Sequence, residues 1–190
     1  MYNITILYGA VRNGRLSIRA ARAVERSLQA TGKAQVTFID IKDYNLPVME
    51  DRLKDMKEPH PGAEAISKTL WHADGIVLVT PEYNNSYSGA LKNAVDYFTK
   101  EWYRKPIGIV TASDGVQGGL NASNLMQLLV LAIDAYASPN KLLVPEVHKN
   151  LDEHGVPQTE KMKGAIESFV KDYLWLVEAI TKQKKSNPLF

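Results

Sequence analysis

Residues 9–17 of this chain, GAVRNGRLS, stand between a short apolar run and a periodic one. A connection of that kind turns backbone N–H groups and a helix N-terminus toward one point, an arrangement suited to a phosphate. Arg12 and Arg15 add positive charge, and Ser17 adds a hydroxyl donor. The stretch lacks the Gly-Lys-Ser/Thr of a Walker loop and the G-x-G-x-x-G of a dinucleotide fingerprint. A helix cap at Ser17 beside two solvated arginines accounts for the same residues. The second stretch, residues 80–89, reads TPEYNNSYSG, and its rings and amides suit a flat ligand with a polar edge. A plain strand-to-helix loop capped by Ser88 is the simpler alternative. The third, residues 111–121, reads TASDGVQGGLN. Gly115, Gly118 and Gly119 let a backbone approach a ligand closely, or form a flexible turn.

These stretches need elements to hold them, and the hydrophobic pattern supplies alternating strands and helices. Apolar, β-rich runs predict strands over residues 3–8, 35–41, 75–80, 106–112 and 141–148. The third, GIVLVT, is apolar throughout, as expected of a parallel strand buried on both faces. Helical periodicity predicts helices over residues 16–31, 63–72, 88–98, 120–136 and 158–181. In the last of these, Met162, Ile166, Phe169, Val170, Tyr173, Val177 and Ile180 mark a buried stripe. The alternation predicts a single domain over residues 1–190, a parallel sheet with helices on both faces, and the strand order 2-1-3-4-5. In such sheets ligands sit beyond the carboxyl ends of the strands, which is where all three stretches fall.

Residues 81–98, PEYNNSYSGALKNAVDYF, closely resemble the P-E-Y-N-x-S-x-P-G-x-L-K-N-A-I-D-W of the NADPH-dependent FMN reductase family. That family includes flavin-dependent quinone, azo-dye and chromate reductases. The first loop resembles its G-S-x-R-x-G-R-x-S, and GVQGGLN more loosely its third flavin loop. The resemblance implies a flavodoxin-like three-layer α/β sandwich over roughly residues 1–147. It implies that Arg12, Ser17 and the amides around them hold the phosphate of FMN, that Gly9 and Leu16 also belong to the cofactor-binding residues, and that Arg15 is a further candidate for that phosphate or for NADPH. It implies that Pro81, Glu82, Tyr83 and Asn84 line the isoalloxazine, and that Ser113, Gly115, Gly118 and Gly119 approach its pyrimidine edge. The implied reaction is ping-pong: NADPH or NADH gives hydride to the flavin and leaves, and a small electron acceptor takes its place. No side-chain acid or base is required, so no catalytic residue is named. Three positions depart from the family. Ala10 replaces a Ser, removing a contact of about 1.5–3 kcal/mol unless Arg15 compensates. Ser88 replaces a Pro, and Tyr97 a Trp whose core place it should fill, with a hydroxyl that needs a partner.

Composition narrows the classes further. The 190 residues contain no cysteine, which excludes disulfides, thiolate metal sites and cysteine nucleophiles. The four histidines are scattered without metal-ligand spacing, and no metal is expected. A formal net charge of +2 is too mild for a nucleic-acid partner. No signal peptide or membrane-length apolar run is visible, so a cytoplasmic protein is expected. Only residues 182–190 read as disordered. Residues 125–133, LMQLLVLAI, carry one polar side chain, Gln127, so their helix predicts an apolar outer face and a homodimer or homotetramer. The family resemblance also implies dimers with the flavin near the subunit boundary, so that Tyr83, Trp102 or Tyr103 would border a neighbour's site. The runner-up is a flavodoxin-like electron carrier. Such carriers are typically acidic, whereas this chain is slightly basic.

Overall fold

The computed structural model describes residues 1–187. Along the chain the strands are β1 (Tyr2–Tyr8), β2 (Ala34–Asp40), β3 (Gly75–Tyr83), β4 (Ser86–Tyr87), β5 (Pro106–Ala112), β6 (Tyr136–Ala137) and β7 (Leu142–Val144). The α-helices are α1 (Ile18–Ala30), α2 (Pro61–His72), α3 (Gly89–Asp96), α4 (Leu120–Ala132), α5 (Val147–Asn150) and α6 (Glu160–Ser186). β1 lies between β2 and β3, and β3 lies beside β5, all in parallel. The fifth position in the order belongs to two fragments, β6 and β7, both parallel to β5. The strand order is therefore the expected one, with its last member divided.

Period-two alternation sorts the strand residues into two cores. Ile4, Ile6, Tyr8, Val77, Val79 and Val110 pack with α1 and α6. Leu7, Ile76, Leu78, Ile107 and Ile109 pack with α2, α3 and α4. The predicted stripe on α6 is buried from Met162 to Val177, while Ile180 is only half-buried. Because α6 lies on the opposite face of the sheet from α4, it leaves the outer side of α4 uncovered.

Three expectations about elements are corrected. The helix predicted over residues 120–136 ends at Ala132. Asp134 then adopts a positive φ of 57° and the chain turns so that Tyr136 pairs with Pro106. The strand predicted over residues 141–148 covers only Leu142–Val144. Pro145 follows it, Glu146 takes a φ of 38°, and the short helix α5 begins. The tail expected to be disordered from Lys182 is helical as far as Ser186, and residues 188–190 lie outside the described residues. Among the described residues no helix is long and apolar enough to cross a membrane.

Candidate active site at the carboxyl edge of the sheet

The loops after β1, β3 and β5 meet as expected. They line a cavity of about 310 Å³ with Arg12, Asn13, Gly14, Arg15, Leu16, Ser17, Pro81, Glu82, Tyr83, Ala112, Ser113, Asp114 and Val147. A larger groove of about 550 Å³ runs between α1 and α6, where Tyr2 and Lys33 mark the amino edge of the sheet. None of the three loops reaches that groove. The smaller cavity is the one that the topology of an open α/β sheet favours for a ligand.

The phosphate expectation can be tested on α1. No side chain caps this helix, and its first turn holds no acidic residue. Among the described residues, the amides of Arg12, Asn13, Gly14, Leu16 and Ser17 find no acceptor. By contrast α2 is capped by His60 Nδ1, which accepts from the Gly62 amide, and α3 by Ser88, which accepts from the Leu91 amide. At α4 the Ala122 amide donates to the Glu82 carboxylate at 3.0 Å. The N-terminus of α1 is thus left open toward the cavity, with free donors and a positive dipole end. Arg12 is exposed, and its guanidinium lies 5.5 Å from the Tyr83 ring centroid, with no carboxylate partner among the described residues. This donor set fits a phosphate monoester.

The other cationic residue of the loop is engaged differently. Arg15 Nη1 donates to Asp40 Oδ1 at 2.7 Å, and Nη2 donates to Asp40 Oδ2. Nη1 also donates to the Ala10 carbonyl, which gives the position lacking the family's serine a structural role through its backbone. The guanidinium lies 5.0 Å from the Tyr8 ring centroid. Tyr8 is buried, its hydroxyl lies 2.9 Å from Ser17 Oγ, and burial pushes its pKa up to about 12.

The second stretch is a hairpin rather than a plain loop. Asn84 and Asn85, with φ of 49° and 63°, form a two-residue turn that lays β4 antiparallel against the end of β3. Positive φ at both turn residues matches the twist of a tight hairpin, and asparagine tolerates it. Asn85 also accepts from Asn121 of α4 at 3.0 Å, and with the Glu82 contact this fixes the hairpin to that helix. Ser88 caps α3 as predicted and also donates to the Gly9 carbonyl. The Tyr97 hydroxyl finds its partner in the Pro47 carbonyl at 3.0 Å.

In the third stretch, Ser113 donates through Oγ to the Gly115 carbonyl at 3.0 Å. Gly118 and Gly119 have φ of 62° and 85°, and a Cβ on Gly119 would come within 2.7 Å of Thr111 Cβ. Their glycine character is required by the turn itself.

Of the residues singled out from the sequence, Arg12, Arg15, Leu16, Ser17, Pro81, Glu82, Tyr83 and Ser113 line the cavity. Gly9, Asn84, Gly115, Gly118 and Gly119 are not among its lining residues. Gly9 lies against α3, where an added Cβ would meet Leu91 Cβ at 2.5 Å. Trp102 is overturned as a residue bordering a neighbour's site: it is fully buried and donates through Nε1 to the Val95 carbonyl. Sequence reasoning missed Asn13, Gly14, Ala112, Asp114 and Val147 in the lining, and Asp40 behind it. Asp40 ends β2, so the rule about carboxyl ends had marked its position. Asp114 lies 3.4 Å from His148, both exposed at the rim. Among the described residues no group of three or more His, Asp or Glu side chains is placed to hold a metal.

A doubly wound sheet with an open helix N-terminus and an aromatic-edged cleft at its carboxyl edge defines a flavodoxin-like nucleotide-binding protein. Residues 2–149 match the NADPH-dependent FMN reductase family, and the chain belongs to that family. An NADPH azoreductase from Bacillus sp. (strain OY1-2) is 34% identical over 147 residues, covering 74% of this chain and 80% of its own. A quinone reductase from Escherichia coli (strain K12) is 31% identical over 139 residues, covering 70% and 71%. Among solved structures, FerB, a flavoenzyme NAD(P)H:(acceptor) oxidoreductase from Paracoccus denitrificans, superposes with a TM-score of 0.81 over 94% of this chain and 98% of that one. It is 22% identical, a likeness of fold. The chain is accordingly an FMN-dependent NAD(P)H oxidoreductase rather than an electron carrier.

Proposed function

We propose that this protein takes electrons from NAD(P)H and passes them to a quinone or an azo compound. Donor and acceptor use the same opening of the carboxyl-edge cavity in turn. FMN, when bound, supplies the two-electron chemistry. The chain supplies position, a partly dry wall and electrostatics. In this reading Arg12, Ser17 and the amides at the start of α1 hold the FMN phosphate. The backbone of Pro81–Asn84 runs beside the isoalloxazine, and Ser113 with the following glycine turn approaches its pyrimidine edge. Amides at that edge would stabilise negative charge on the reduced ring.

The observation that carries this reading is the open N-terminus of α1, with amides unpaired among the described residues beside Arg12, on a cavity that Tyr83 and Ser113 also line. The acceptor class follows from the azoreductase and quinone reductase relatives. The absence of cysteine suits a cytoplasmic setting.

Initial rates measured at several fixed acceptor concentrations test it. Parallel double-reciprocal lines are expected with both a quinone and an azo dye. Intersecting lines would mean that donor and acceptor bind together, and the shared opening would be wrong.

A further inference from the structure

Behind the loop of residues 9–17 lies a layer of side chains that the reaction itself does not use. Asp40 and Arg15 are paired through both carboxylate oxygens, with side chains only 11% and 14% exposed. Arg15 reaches the Ala10 carbonyl with the same guanidinium, so one residue ties the start of the loop, its middle and the end of β2. A bidentate pair of this kind fixes geometry as well as charge. Three of Arg15's five donor hydrogens are committed there, and its charge is balanced by Asp40.

Tyr8 does the equivalent work for Ser17. Burial keeps its phenol protonated, so it has a proton to give throughout the working pH range. Among the described residues the one hydrogen-bond partner of its hydroxyl is Ser17 Oγ. A hydroxyl that accepts from Tyr8 turns its own proton away from Tyr8, and among the described residues no acceptor takes that proton. The open side of Ser17 is the cavity.

Resting on the assignment of this cavity to FMN, we propose that Asp40 and Tyr8 are positioning residues for the flavin phosphate. Asp40 acts through Arg15 to fix the arch of the loop, so that its free amides converge. Tyr8 acts through Ser17 to aim a hydroxyl proton at the phosphate. Arg15 is on this account a brace of the loop, and Arg12 is its phosphate cation.

Flavin fluorescence titrations of the full chain test this with FMN and with riboflavin, which has the same ring and no phosphate. Tyr8→Phe and Asp40→Asn are each expected to raise the FMN Kd about tenfold and to leave the riboflavin Kd within about twofold. Asp40→Glu, which keeps the charge, should recover part of the loss. The double variant Asp40→Asn/Arg15→Gln should bind FMN no more weakly than Arg15→Gln alone, since Asp40 acts through Arg15. Equal weakening of both flavins would make these residues merely structural and overturn the proposal. Unchanged FMN affinity in folded variants, or additive losses in the double variant, would overturn it too. Tyr8→Phe removes one oxygen and carries the test should Asp40→Asn fail to fold. A wild-type protein with no preference for FMN over riboflavin would instead refute the flavin assignment, before any variant is made.

Discussion

Arg12 and Arg15 carry the same charge in the same loop, yet they meet different surroundings. Arg15 is spoken for by Asp40, whereas Arg12 has no carboxylate partner among the described residues and lies over the face of Tyr83. A phosphate entering the cavity therefore finds Arg12 available without breaking an ion pair. Arg12→Ala is expected to weaken FMN binding by about 1.5–3 kcal/mol through loss of one charge-assisted contact, and to leave riboflavin nearly unaffected. Equal losses measured for the two flavins would show that Arg12 does not read the phosphate. The residues of this site that were legible in the sequence were those whose motif is local: the loop cations, Ser17 and the Pro-Glu-Tyr run. Tyr8 and Asp40 were not, because their role exists only once β1 and β2 lie side by side in register, with Tyr8 opposite Asp40. Val147 reaches the cavity only because the chain turns at Pro145, which no spacing rule shows.

At the scale of elements, strand and helix types were readable wherever hydrophobic periodicity was long, and failed where a short turn decided the path. Asn84–Asn85 could have signalled a tight hairpin, since two asparagines between β-rich pairs favour positive φ. The division of the last strand depends on Asp134 and Pro145, local breaks within apolar sequence. One contact between elements also carries a pH dependence. Lys105, just before β5, donates through Nζ to the Trp71 carbonyl at 3.0 Å and to the Ala73 carbonyl, tying down the end of α2. Burial, aided by nearby Lys184, pushes its pKa down from 10.5 to about 8, against the attraction of Asp74. Between those two values the unfolded chain binds the proton more tightly than the folded one, so Lys105's contribution to stability rises with pH across that window. Below it the cost of the buried charge is constant. Urea unfolding of the protein and of Lys105→Met at pH 8 and near pH 10 checks this. The midpoint of the wild type should rise relative to the variant, and a relative fall would mean that the two carbonyls hold Lys105 protonated.

At the scale of the molecule, one surface is out of keeping with an isolated chain. On α4, Leu125, Leu128 and Leu131 are 41%, 64% and 63% exposed and lie at three-residue intervals along one side. The polar residues that might have broken this face, Asn124 and Gln127, are instead turned to Lys141, whose Nζ donates to both. Since α6 covers the other face of the sheet, no element among the described residues shields the stripe. A contiguous apolar strip of this kind is what a twofold partner buries. The same helix begins at the cavity wall, where its Ala122 amide holds Glu82, so a partner seated on α4 would stand near the mouth of the site. The expected state at micromolar concentration is a dimer or a dimer of dimers. Leu128→Glu combined with Leu131→Glu places two charges on the strip without touching either core, and should give a folded species near the 21.2 kDa chain mass in sedimentation. That monomer should hold FMN less tightly if a partner seated on α4 completes the mouth of the site. A wild-type protein sedimenting at the chain mass, with FMN bound and turnover intact, would show that α4 meets water in the working enzyme and that each chain closes its own site.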